Sequence, residues 1–304
     1  IFRYLMSGRL KKKILLSKIL ERIEVDRDKE TTIKLLDKYH SRPKAHVLGV
    51  TGPPGVGKSS LIDKLIITFR KKKKTVGVIA VDPSSSNSGG ALLGDRTRFL
   101  LNPNDDGVYV RSMAAKNYLG GVSELTYPTM TIMRSEFDFL IIETVGVGQS
   151  ETHIKDTVDT VLLCVQPGSG DTIQFMKSGI FEIPDLITIT KCDFEKLSNQ
   201  TYSDLLGSQN YFKKINDWKI DIIQTSAQKN IGVESLFKSF QKRWEWLSKE
   251  NRLEKKRNFQ DLEWIKKSII KEFGLAGLKK ILNDIEYSNN PFLTLKKINK
   301  KLVY

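Results

Sequence analysis

Apolar residues change their spacing twice along this 304-residue chain. Between Lys11 and Lys38, Ile14, Leu15, Ile19, Ile23, Ile33, Leu35 and Leu36 recur at helical spacing among charged residues. That pattern predicts two short helices broken around Val25 to Asp28, with Pro43 ending the segment. The centre reads differently. Short β-branched runs alternate there with helical stretches: His46–Val50, Val76–Val81, Val108–Val110, Phe139–Glu143, Thr160–Val165, Leu186–Thr190 and Ile220–Thr225. Most are continuously apolar, as strands covered on both faces are. Strands alternating with helices predict an α/β fold with a doubly wound, mainly parallel sheet, whose ligands lie beyond the carboxyl ends of the strands. After Gly232 the spacing is helical again, through Leu236, Phe240, Trp244 and Leu247 and then Leu262, Ile265, Ile269 and Phe273. Gly274 is the expected stop, followed by helical stretches around Leu278–Ile285 and from Pro291 to the end. The expected organisation is a helical extension over 1–44, an α/β domain over 45–245 and a second helical extension over 246–304.

Composition narrows the class. Hydrophobic residues make up 39% and charged residues 28%, enough apolar material for a real core. No apolar run reaches the roughly 18 residues of a membrane span, and no cleavable leader is evident. With only Cys164 and Cys192 there is no thiol framework for disulfides or a four-cysteine zinc site. A reduced, cytoplasmic protein is expected. The chain opens at Ile1 rather than Met, which suggests a fragment, with Met6 as a candidate start. The net charge of +15 is uneven: residues 1–44 carry 13 basic and 6 acidic groups, residues 241–304 carry 16 and 8, and the centre is balanced. Such flanks read first as solvated helix faces, and a nucleic-acid role ranks below that because neither contains a recognisable module. The run from Arg70 to Lys74 reads as a helix end and surface turn, where cations suit the helix dipole.

Candidate chemistry begins after the first central strand. Gly52-Pro53-Pro54-Gly55-Val56-Gly57-Lys58-Ser59, followed by Ser60, fits G-x-x-x-x-G-K-[ST]. Glycines let successive backbone N–H groups turn toward a phosphate chain, and the following helix adds its positive end. Lys58 would reach the β- and γ-phosphates and Ser59 would ligate Mg²⁺. The fold class sharpens to a P-loop NTPase. At the end of a later strand, Thr190-Lys191-Cys192-Asp193 resembles the N-K-x-D element of GTPases, with threonine at its first position. Asp193 would accept from guanine N1–H and the exocyclic amine, a donor pair that adenine lacks. The Lys191 stem would cover the ring. Thr225, Ser226, Ala227 and Gln228 resemble the last guanine-contacting turn. Cys192 fills the variable position of its motif, a placement that can leave a thiol accessible, whereas Cys164 lies in a buried strand and reads as packing.

Two further stretches are more specific: Val81-Asp82-Pro83-Ser84-Ser85 through Asp95-Arg96-Thr97-Arg98, and Glu143-Thr144-Val145-Gly146-Val147-Gly148-Gln149-Ser150-Glu151. With them the chain resembles the metallochaperone-type family of P-loop GTPases, in which a glutamate, here Glu143, replaces the aspartate of the third GTPase motif. Within it the chain is most similar to the methylmalonyl-CoA mutase-associated subfamily, bacterial and human mitochondrial, also carried under the label of an arginine/ornithine transport kinase. The likeness is close over roughly residues 44–245.

That resemblance implies GTP/GDP and Mg²⁺ as ligands and GTP hydrolysis as the activity, with Lys58, Asp82, Glu143 and Gln149 as catalytic candidates. It implies Ser59, Asp82, Asp95 and Glu143 around the metal, and a partner-contacting switch containing Asp171 and Lys177. It implies a partner, an adenosylcobalamin-dependent acyl-CoA mutase whose cofactor loading is gated, and a homodimer formed through the C-terminal helices. Plain rivals stay open: Asp82 before Pro83 also suits a turn cap, and Asp95 an ion pair with Arg96 or Arg98. The alternatives in function are an ATP-using kinase linked to amino-acid transport and a metal-insertion GTPase, the latter ranked low for want of clustered His or Cys. His40, His46 and His153 are too scattered to suggest a metal site. The aromatic stripe of Phe240, Trp244, Phe259 and Trp264 reads as core, with a dimer partner as the expected cover.

Overall fold

Each of the seven apolar runs of the centre folds as a strand. The computed structural model of the chain describes residues 8–82, 105–114, 125–144, 154–168, 183–208, 217–281 and 289–303. The strands are β1 (His46–Thr51), β2 (Val76–Asp82), β3 (Val108–Ala114), β4 (Phe139–Glu143), β5 (Thr160–Val165), β6 (Leu186–Ile189) and β7 (Asp221–Gln224). The described helices are α1 (Gly8–Val25), α2 (Glu30–His40), α3 (Lys58–Lys71), α4 (Thr126–Glu136), α5 (Glu195–Ser208), α6 (Val233–Ser248), α7 (Arg252–Ile281) and α8 (Pro291–Val303). The strands form one sheet in the order β3-β2-β4-β1-β5-β6-β7, and every pairing is parallel. β1, the first in sequence, sits in the middle with all six residues buried. The chain leaves it toward β2 on one side and later places β5 on the other, so the loop after β1 opens at the point where the strand order reverses.

Alternate residues of the strands feed two cores. On one face Leu48, Val50, Val78 and Ile141 pack against Leu61, Ile62, Leu65 and Phe69 of α3 and Leu236, Phe237 and Phe240 of α6. On the other, Val47, Ile79, Leu140 and Ile142 pack against α4 through Met130 and Met133, and against the flanking helices through Leu20, Ile23, Leu36 and Phe292.

The two flanks meet. Asp37 of α2 accepts from the N–H groups of Phe292 and Leu293 (3.3 and 3.2 Å), placing a carboxylate at the positive start of α8. Asp261 of α7 accepts from Tyr127 of α4 and lies 2.9 Å from His40 Nε2. Arg257 of α7 donates to both carboxylate oxygens of Asp159 at 3.0 and 2.7 Å and to Ala45 O at 2.9 Å, at the amino-terminal edge of the sheet.

Two expectations change here, and a third holds. The basic flanks are not only solvated faces: Arg257 is buried on Asp159, and Arg243 is buried on Asp185 at 2.6 Å between the rings of Trp218 and Trp246. The aromatic stripe finds most of its cover within the chain. Phe240 is fully buried, Trp264 stacks on Tyr127 and meets Phe292 at a tilt, and Trp244 meets His46 at a tilt, while Phe259 stays 54% exposed. Gly274 is the expected stop: at φ 67° and ψ −174° it leaves the helical conformation and divides α7 into two helical segments, with Ile265, Ile269, Phe273 and Leu278 packed on either side of the kink.

Candidate nucleotide-binding site

The chain turns sharply where β1 ends. Gly52 has φ 140°, and a Cβ there would lie 2.3 Å from the carbonyl oxygen of Cys164 at the end of β5. The crowding of two adjacent strand ends and the backbone conformation both require glycine. Gly57, with φ 100°, precedes the first turn of α3, and no side chain caps that turn. An uncapped helix start carries inward-pointing N–H groups and the positive end of the dipole, which together suit an anion. Pro54 and Gly55 are exposed, Ser60 is exposed on the first turn of α3, and Val56 turns its side chain into the core so that only its backbone faces the loop.

Lys58 is buried, and its Nζ donates to the carbonyls of Gly52 (2.7 Å) and Pro53 (3.0 Å), which holds the ammonium inside the loop. Ser59 donates from Oγ to Glu143 Oε1 at 2.7 Å. Glu143 is 3% exposed and closes β4 opposite Val50 of β1, so a carboxylate is presented at the carboxyl edge of the sheet against the start of α3. A hydroxyl that donates to a carboxylate keeps its lone pairs for a cation. The Ser59–Glu143 pair therefore fits Mg²⁺, a hard ion that takes one or two protein oxygens and keeps its waters. Asp82 ends β2, two residues past the partner of Glu143 in the register, but its side chain lies outside the described residues. Asp95, Gln149, Asp171 and Lys177 also lie outside them.

The candidate base-reading elements gather at the carboxyl ends of β6 and β7. Asp193 Oδ1 accepts from Ser226 Oγ at 2.6 Å, and this bond holds the Asp193 carboxyl below its usual range, so it stays an acceptor. Ser226 Oγ in turn accepts from the N–H of Lys229, closing the turn that contains Ala227 and Gln228. Lys191, in the left-handed region at φ 52°, lays its stem back toward the phosphate loop and donates to Gly55 O and Gln166 Oε1, both at 2.9 Å. The threonine that departs from the GTPase pattern joins the base-reading strand end to the phosphate loop, because Thr190 is buried and its hydroxyl donates to Val56 O at 2.7 Å. Sequence reasoning missed both Thr190's role and Gln166. The signal for Gln166 was its place directly after an apolar parallel strand, where ligand-facing polar residues concentrate. Cys192 is buried, against the accessible placement expected for it, and burial with the neighbouring Asp193 charge raises its thiol pKa, so it is not an activated thiol. Cys164 is buried in β5, and burial pushes its thiol up to about 12.

The family model described as "Methylmalonyl Co-A mutase-associated GTPase MeaB" matches residues 16–276. The chain belongs to this family. Among individual relatives, a Pyrococcus abyssi protein named "Putative GTPase" is 40% identical over 247 residues, covering 80% of this chain and 76% of that protein. The mouse "Methylmalonic aciduria type A homolog, mitochondrial" is 32% identical over 232 residues, which are 75% of this chain and 56% of the longer relative. The crystal structure of an LAO/AO transport system kinase superposes with a TM-score of 0.69 over 96% of this chain and 95% of that one; at 22% identity it shows the shared fold. This MeaB-family protein is thus a P-loop GTPase that binds GTP and GDP. Among its described residues, no helix is long and apolar enough to cross a membrane.

Proposed function

We propose that this GTPase is a Mg²⁺-dependent chaperone of an adenosylcobalamin-dependent acyl-CoA mutase, with methylmalonyl-CoA mutase the candidate named by its family, and that its nucleotide state gates cofactor loading and protects the mutase. One observation carries the reading: within a MeaB-family chain, the P-loop serine is hydrogen-bonded to a buried glutamate at the end of the neighbouring strand. The phosphates lie along Gly52 to Ser60. Lys191, Asp193, Ser226, Ala227 and Gln228 receive the base. Ser59 and Glu143, joined by Asp82 and Asp95 on the family resemblance, would hold a Mg²⁺ ion directly or through water, and that ion would neutralise charge on the β- and γ-phosphates. The protein's own work is positioning. Lys58 exchanges its loop carbonyls for phosphate oxygens, Glu143 orients Ser59 and nearby water, and Gln149 organises the attacking water. Asp171 and Lys177 belong to the segment that reports the nucleotide to the mutase. Residues 45–245 form the GTPase domain between the helical extensions 1–44 and 246–304, and the second extension contributes to a homodimer.

The test is hydrolysis of GTP by the purified protein, alone and with the mutase. Stimulated turnover is expected, and Lys177→Ala should keep the intrinsic rate while losing the stimulation. Turnover that the mutase does not change would overturn the chaperone reading and leave the GTPase in place.

A further inference from the structure

Arg134, on the last turn of α4, is 2% exposed and among the largest fully buried side chains of the protein. Its carbonyl accepts from the N–H groups of Lys44 and Ala45, which ties the helix end to the start of β1. Its guanidinium, with five N–H donors, makes no hydrogen bond or ion pair among the described residues, and Nε is enclosed without an acceptor. Among the described residues the two other buried arginines each hold a carboxylate, Arg257 that of Asp159 and Arg243, through one Nη only, that of Asp185, whereas Arg134 holds none. Asp159 and Asp261 lie near enough to Arg134 to favour its charge but do not bond to it, while burial and then the Arg257 charge disfavour that charge. A buried cation whose donors are unmet is costly, and an acceptor supplied from outside the chain would relieve the cost.

The place for such an acceptor exists. Arg134 lines a cavity of about 540 Å³ together with His40 and Ser41 at the end of α2 and Glu254, Arg257, Asn258 and Asp261 on α7. That volume lies in the range of small-molecule sites. The cavity opens at the amino-terminal edge of the sheet, the opposite end of β1 from the phosphate loop, so six residues of strand, roughly 17–20 Å, separate it from the nucleotide. Two guanidinium groups and two carboxylates around one cavity suit a ligand with an oxyanion at one end and hydrogen-bond donors at the other. We propose that this cavity is a second ligand site for a small molecule bearing a single carboxylate or phosphate, received by the planar fork of Arg134. Such a ligand bridges α2, α4 and α7 and fastens the two helical flanks to the body.

The test uses the full chain saturated with GDP, so that the phosphate loop is filled, at constant ionic strength. It is titrated by calorimetry with inorganic phosphate and, separately, with glycolate. Saturable binding of at least one is expected, weakened at least about tenfold by Arg134→Met. Asn258→Asp, which places a carboxylate on the cavity wall at nearly unchanged shape, should weaken it as well and serves if the first variant does not fold. Preference for phosphate marks a phosphate ester as the ligand class, and preference for glycolate a carboxylic acid. No saturable binding of either probe, or unchanged affinity in the variants, overturns the proposal.

Discussion

Replacing Thr190 by valine removes one hydroxyl and almost nothing else. The side chain is buried, the shape is nearly conserved, and the lost bond is the 2.7 Å contact to Val56 O inside the phosphate loop. The same hydroxyl also lies 3.1 Å from Val165 O, but that carbonyl keeps the N–H of Thr190 at 2.9 Å. The cost therefore falls on Val56 O, a buried acceptor deprived of its donor, worth about 1–3 kcal/mol. If the loop keeps its place without nucleotide, the cost shows as a lower Tm. If the loop relaxes, the cost is recovered in the free protein and is met only on binding, so GDP affinity falls by roughly 5- to 150-fold. Thermal unfolding and calorimetric GDP titration of the same variant divide the loss between the two. Thr190→Ser, which keeps the hydroxyl, should restore most of either effect. A Thr190→Val protein with wild-type Tm and wild-type GDP affinity would refute the claim that this threonine braces the phosphate loop.

Two other outcomes follow from Asp193 and His46. Asp193→Asn presents an amide donor where guanine N1–H needs an acceptor, so preference for GTP over ATP in competition binding should collapse while phosphate-loop contacts persist; undiminished preference would remove Asp193 from base recognition. His46 is fully buried, with Nε2 2.7 Å from Thr160 Oγ1, and burial pushes its pKa down to about 3. Between about pH 6.5 and 3 the unfolded chain binds a proton here that the folded chain does not, so this residue makes stability fall with decreasing pH, with a slope approaching about 1.4 kcal/mol per pH unit. Denaturant midpoints across that window, compared with His46→Gln, should show the variant with the shallower slope.

The strands were legible because most are short, continuous apolar runs, which the sheet buries on both faces except at its half-buried edges, β3 and β7. The seven expected strands agree with the observed ones to within a few residues at their ends, the largest difference being β3, which runs on to Ala114. The phosphate loop was legible because its glycine spacing is local. What local pattern could not carry is partnership across the chain. Arg257 meets Asp159 across 98 positions of sequence, and Asp261 meets Tyr127 across 134, so lysine- and arginine-rich helices that looked like solvated faces conceal buried ion pairs. The same limit explains the aromatic stripe: periodicity marks a face to be covered but does not say by what, and here α2, α4, α8 and the sheet edge supply most of the cover. Thr190 is the converse case. The motif marks its departure at the first position, but only the fold shows what the threonine does there: its hydroxyl reaches Val56 O, 134 positions away.

β1 links both ends of this molecule, and its two ends are held very differently. At its amino end Val47 N–H donates to Asp159 Oδ2 at 2.9 Å, while Arg257 clamps that same carboxylate and Ala45 O. Burial alone would raise the Asp159 carboxyl, yet Arg257 and the other partners more than offset it and bring it down to about 2, so the clamp stays ionised across the neutral range. Breaking such a buried pair costs about 3–5 kcal/mol, more than a nucleotide-dependent rearrangement should have to supply. At its carboxyl end the contacts are of a kind that a ligand can replace: an ammonium resting on its own loop carbonyls and a serine on a glutamate. A change of nucleotide state therefore works by exchanging contacts at the carboxyl edge while the amino edge, with α7 fastened to it, stays put. On the proposed reading, a partner that senses GTP would read the carboxyl edge, with the helical flanks as a fixed base.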